Sequence, residues 1–147
     1  MNEVAKWFAE AIDYGLKVYN ENSSQYIFYK GFKLIKNNDS EYLIQDIRVS
    51  DFYRDVDEKH LSIIKNKGLI RGADDISYHR NIKRVERYTK KLESLYEDLD
   101  KFVAKGDLRK TENCRENIGK YLDLMFFYKA KIHQYNNKYK LNLSNNE

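Results

Sequence analysis

The sequence predicts a mostly helical α+β fold, in which an N-terminal helix and a β-hairpin pack on a long antiparallel C-terminal helical hairpin. Three observations carry this. Proline is absent and glycine occurs only six times in 147 residues, which favours long uninterrupted helices. Two stretches near the C-terminus repeat their apolar residues at alternating spacings of three and four. Between residues 25 and 49 that period gives way to aromatic and β-branched residues typical of strands.

The first helix spans Glu3 to Tyr19, with Val4, Phe8, Ala11, Ile12, Gly15 and Val18 on one face. Trp7 and Tyr14 fall on its flanks, where a ring closes the edge of a core. Asn20, Asn22, Ser23 and Ser24 then stop the pattern with turn-forming residues. The next stretch reads as a hairpin with its turn at Asn37 to Ser40, and Gly31 as a bulge or bend within the first strand. An isolated hairpin is only marginally stable, so it needs an apolar floor, and the first helix is the nearest one.

After the hairpin, Ser50 or Asp51 suits the cap of a short helical turn, and Asp57 that of a helix running to about Lys67. Gly68 and Gly72 flank Leu69 and Ile70, and a long helix is expected to begin at Asp74 or Asp75. Its seam consists of Tyr78, Val85, Leu92 and Leu99 alongside Tyr88, Leu95 and Phe102. Gly106 supplies a C-cap and Asp107 an N-cap, so the last helix starts there and runs to about Tyr139. Its rows are Ile118, Met125, Ile132 and Tyr139 beside Cys114, Tyr121, Tyr128 and Tyr135. Matching lengths and a short connection predict an antiparallel pair about 45 Å long, at 1.5 Å per residue.

The chain is expected to be one domain, with an acidic unit over 1–56, a basic helical region over 57–141 and a frayed tail over 142–147. The net charge of +4 hides a division. Residues 1–58 carry 7 basic residues against 11 acidic ones, so that part is −4 and the remainder +8. A concentrated field steers anionic partners in a way that scattered charge does not. Arg80, Lys83, Arg84, Arg87, Lys90 and Lys91 recur at spacings of three, four and seven, forming a positive stripe beside and behind the seam.

Leu122, Leu124, Phe126 and Phe127, with Tyr121, Met125 and Tyr128, make the last helix apolar almost all round, and such a helix is covered on several sides. Cover by the N-terminal unit or by a second copy are the two expectations, and the second makes these residues a self-association patch.

The search for chemistry is mostly negative. His60, His79 and His133 are scattered one per element, with no ligand pair on one helix face. Asp51, Asp55, Asp57, Glu58 and His60 form the densest acidic group, but without EF-hand spacing, and helix caps account for most of it. Cys114 falls on the apolar seam, where cysteine behaves as a small hydrophobe. Walker and dinucleotide glycine loops are absent, so no catalytic residue, metal or cofactor is assigned and a non-enzyme is expected. The outline of helix, glycine turn and helix suggests a helix-turn-helix reading bases through Ser77, His79, Arg80, Lys83 and Arg84. The length and heptad seam of its second helix argue instead for a coiled coil.

The expected function is non-catalytic binding of an anionic macromolecule, nucleic acid first, through the stripe. The alternatives are an accessory protein of a phage or mobile element that binds and inhibits a host protein, with the basic hairpin on its acidic surface or the acidic N-terminal unit in its DNA groove, or a purely architectural homodimer. The AT-biased, tyrosine-rich composition suggests the phage-like reading. No apolar run approaches the roughly 20 residues that span a bilayer. The acidic amphipathic start and single cysteine give a cytoplasmic expectation.

Overall fold

The computed structural model describes residues 2–38, 41–48 and 54–140. The order is α1 (Glu3–Tyr14), β1 (Tyr19–Glu21), β2 (Ser24–Tyr29), β3 (Phe32–Lys36), β4 (Tyr42–Asp46), β5 (Arg54–Asp55), α2 (Glu58–Lys67), α3 (Leu69–Ala104) and α4 (Leu108–Tyr139). The class is α+β and mostly α. The chain forms two compact units, Met1–Ser77 and Tyr78–Glu147, with the boundary inside α3. Asp39 and Ser40 of the expected turn, the expected cap at Ser50 or Asp51, and the tail 142–147 lie outside the described residues.

In the first unit the strands form an antiparallel meander in the order β1-β2-β3-β4-β5. This exceeds the single hairpin expected from sequence. Lys30 and Gly31, with φ of 49° and 84°, make a two-residue loop of the left-handed kind whose twist suits a tight hairpin, so β2 turns straight into β3. A Cβ on Gly31 would lie 2.0 Å from Arg48 Cγ, a second reason for glycine there. After β3 the Asn37 amide donates to the Glu41 carbonyl at 2.8 Å, on either side of the expected turn residues that lie outside the described ones.

Alternation sorts the sheet. Ile27, Phe32 and Leu34 are buried with Trp7, Phe8 and Ala11 of α1 and with Ile64, Leu69, Ile70, Ala73 and Ile76 of α2 and α3. On the other face Lys33 places its ammonium 4.3 Å from the Tyr26 ring centroid, and Tyr19 meets Phe28 edge to face.

Three element boundaries differ from expectation. α1 ends at Tyr14, because Gly15 adopts φ 100° and the amides of Gly15 and Leu16 close back on Ile12 and Ala11. Tyr19, expected at the end of that helix, belongs to β1. α3 begins at Leu69, ahead of Asp74, because its first amides are capped from a distance. The Glu10 carboxylate of α1 accepts from the Leu69 and Ile70 amides at 2.8 and 3.0 Å.

Asp74 and Asp75 therefore sit in the second turn of α3, and both are buried. Asp74 accepts from the Tyr29 hydroxyl at 2.6 Å, and Asp75 pairs with Lys67 and Arg71. Burial first, and the Asp74 carboxylate second, hold the Tyr29 hydroxyl protonated far above its ordinary range.

The second unit is the helical hairpin. Asp107 caps α4 by accepting from the Lys110 amide at 3.1 Å, and Gly106 makes the turn with φ 70°. Leu92, Leu95, Cys114 and Ile118 form its buried core, flanked by Leu99, Phe102, Tyr121, Leu122 and Met125. The Cys114 thiol donates to the Leu95 carbonyl at 3.2 Å. Away from the turn the seam becomes aromatic. Tyr88 meets Tyr121 and Tyr128, and Tyr78 stacks on Tyr135 with centroids 4.0 Å apart.

Candidate nucleic-acid interface

Tyr78 opposite Tyr135, and Tyr88 opposite Tyr121 and Tyr128, fix how the two helices run alongside each other. Residues 78–91 therefore lie against residues 120–140, and together they carry 11 lysines and arginines with Glu86 and Asp123 as the only acids, a net charge of +9. The half that contains the turn, residues 92–119, carries five basic and seven acidic residues, a net −2. The hairpin is electrically polar along its length.

The six residues of the predicted stripe divide by position on α3. At about 100° per residue, Arg80, Arg84, Arg87 and Lys91 occupy one row beside the seam, while Lys83 and Lys90 lie further round the back. Lys83, Arg87, Lys90 and Lys91 are exposed and form no ion pair among the described residues; Arg80 and Arg84 are half-buried. Arg84 donates to Asn81 Oδ1 at 3.3 Å and lays its guanidinium 4.7 Å from the Tyr128 centroid. Lys91 reaches to 6.0 Å from the Tyr121 ring. Such contacts let a seam tyrosine position a cation without neutralising it.

A matching row runs along α4. Lys120, Leu124, Phe127 and Lys131 have the same spacing of four, three and four. Lys131 places Nζ 4.9 Å from the Phe127 centroid, and Phe127 meets Tyr128 edge to face at 5.1 Å. Arg84, Tyr128, Phe127 and Lys131 thus form one continuous set of contacts across the two helices. Glu86 lies about 200° from Arg84 around α3, on the opposite side, and Asp123 is the acid that borders the α4 row.

The apolar patch is not one surface. Leu124 and Phe127 are three apart and share the basic edge, whereas Leu122 and Phe126 are four apart and share the other side of α4. Leu122 and Leu124 are half-buried; Phe126 and Phe127 stand 60% and 54% exposed. Sequence periodicity contained this split, but a run of apolar residues hides it unless each is assigned its angle on the helix.

Two members of the acidic group, Asp57 and His60, have structural partners. Asp57 caps α2 by accepting from the Lys59 amide at 2.8 Å. His60 Nδ1 accepts at 2.9 Å from Arg48, whose guanidinium is paired with buried Asp46 at 2.6 Å. Burial, and then the Arg48 charge, push the His60 pKa below its usual 6.5. Asp51 lies outside the described residues. Among the described residues no group of three or more His, Cys, Asp or Glu gathers to hold a metal ion, and no helix is long and apolar enough to cross a membrane. Ser77, His79, Arg80, Lys83 and Arg84 lie beyond the second turn of α3, away from the N-terminal position from which a helix-turn-helix reads bases. No protein-family model, no curated protein and no solved structure matches the chain.

Proposed function

We propose that this chain is a non-catalytic nucleic-acid-binding protein that grips the phosphate backbone with the basic half of its helical hairpin. One observation carries the reading. Eleven cations against two acids, on paired stretches of two helices, make a field that a polyanion answers better than any small ligand. Most cations of the α3 stripe are exposed and unneutralised, and the tyrosines of the seam hold Arg84 and Lys91 in place. Rigidly placed guanidinium groups match phosphate oxygens in pairs, while lysines add point charge along the row.

The test is fluorescence anisotropy of labelled single-stranded and duplex oligonucleotides at 50 and 200 mM salt. If about four phosphates are neutralised, affinity falls roughly a hundredfold across that range. A variant with Arg80, Lys83, Arg84 and Arg87 changed to Glu loses binding while keeping its helical circular dichroism. No binding at 50 mM salt to either form defeats the proposal and leaves an acidic protein surface as the partner to pursue.

A further inference from the structure

Leu124 and Phe127 project among the cations of the basic edge, and a ring 54% exposed there has no counterpart in a surface made only to hold phosphates. We infer that Phe127, with Lys131 beside it, is a stacking platform for an unpaired base, so that the basic half of the hairpin takes single-stranded nucleic acid in preference to duplex. This rests on the nucleic-acid reading and narrows it to a substrate class.

Charge selects the occupant. A second copy seated on this edge would bring two hairpin halves, each of net +9, together, and the edge offers Asp123 as its one bordering acid, too little to compensate. A duplex presents phosphates and sugars outward and keeps its bases stacked inside, leaving the phenyl ring nothing to cover it. A single strand presents both, a phosphate at each nucleotide and a base free to turn onto an aromatic face.

The local geometry suits that pairing. Lys131 holds Nζ 4.9 Å from the Phe127 centroid, where it can turn to the phosphate next to a stacked base. Tyr128 props Phe127 edge to face at 5.1 Å, and Arg84 braces Tyr128 from α3 at 4.7 Å. The ring is thus supported from within the hairpin and still stands 54% exposed, with the mobile Lys131 side chain as the group a stacking base would displace. Phe126, on the other side of α4, lacks this setting and is the natural control.

The experiment measures anisotropy with three labelled probes of equal length, oligo-dT, an abasic strand with the same number of phosphates and a duplex, and uses vesicles of phosphatidylcholine with phosphatidylserine as competitor. The wild type is expected to bind oligo-dT about tenfold or more tighter than the abasic strand. Phe127→Ala should abolish that preference and leave the abasic and duplex affinities unchanged, with Phe127→Tyr restoring it and Phe126→Ala keeping it. Equal affinity for oligo-dT and the abasic strand, or a preference that survives Phe127→Ala, overturns the stacking inference while the phosphate-grip reading stands. Failure to bind any oligonucleotide overturns both, and so does displacement of every probe by the anionic vesicles at lower phosphate concentration, which would make lipid headgroups the partner. Phe127 is exposed, so the variant's folding is not at stake, and circular dichroism checks it.

Discussion

His60 is the residue whose protonation the fold resists most clearly. Its Nδ1 can accept from Arg48 only while unprotonated, and burial and the guanidinium both disfavour the imidazolium. The unfolded chain, near 6.5, therefore binds a proton more readily than the folded one. The stability this provides is present above pH 6.5 and is lost as pH falls through the lowered folded value. Urea midpoints measured between pH 7.5 and 5.5 should drop more for the wild type than for His60→Asn, whose amide oxygen can replace the acceptor. Equal slopes would disconnect His60 from the acid response.

At the scale of the element, two glycines inside helices should respond oppositely to the same change. A Cβ on Gly72 would lie 2.8 Å from the Ile64 Cα, backbone that cannot swing aside, so α2 and α3 would have to separate. Gly72→Ala is expected to cost about 1–3 kcal/mol despite a better helix propensity. Gly119 in α4 has nothing within 4 Å of that position, and Gly119→Ala should stabilise by roughly 0.5–1 kcal/mol. Thermal melts of the two variants decide both. Removing the carboxylate with Glu10→Ala should cost about 1–2 kcal/mol, as loss of a helix cap does.

These positions also explain which boundaries could be read from sequence. Asp57, Asn37, Gly106 and Asp107 act on residues two to four away, so their chemistry was legible. The start of α3 was not, because its cap comes from Glu10, and without that partner Asp74 and Asp75 look like the capping residues. In sequence Gly31 reads as a bulge or bend, without the hairpin turn, since Lys30, unlike Asn or Asp, gives little sign of a left-handed conformation. Gly15 matched the apolar period of α1, which hid its role as terminator. In the hairpin, where contacts follow a strict repeat, nearly all of the seam was foreseeable. The spatial union of the α3 row with Lys120 and Lys131 was not, since it depends on how the two helices align.

For the molecule as a whole, uneven charge should make stability depend on ionic strength. The basic half of the hairpin repels itself, and added salt screens that repulsion over about 10 Å at 0.1 M. Melting followed by far-ultraviolet circular dichroism should rise by a few degrees between 20 and 300 mM sodium chloride. Trp7, the sole tryptophan, is buried in the core of the other unit, so its fluorescence reports that unit separately and should shift less. The Glu10 cap also bears on the order in which the parts assemble. The first amides of an α-helix find no acceptor within it, and those of Leu69 and Ile70 are held not by a local cap but by a residue of α1 at sequence separations of 59 and 60. Their hydrogen exchange should therefore follow the docking of α1 rather than the fraying of α3, making two amides deep in the chain a clock for the arrival of its beginning.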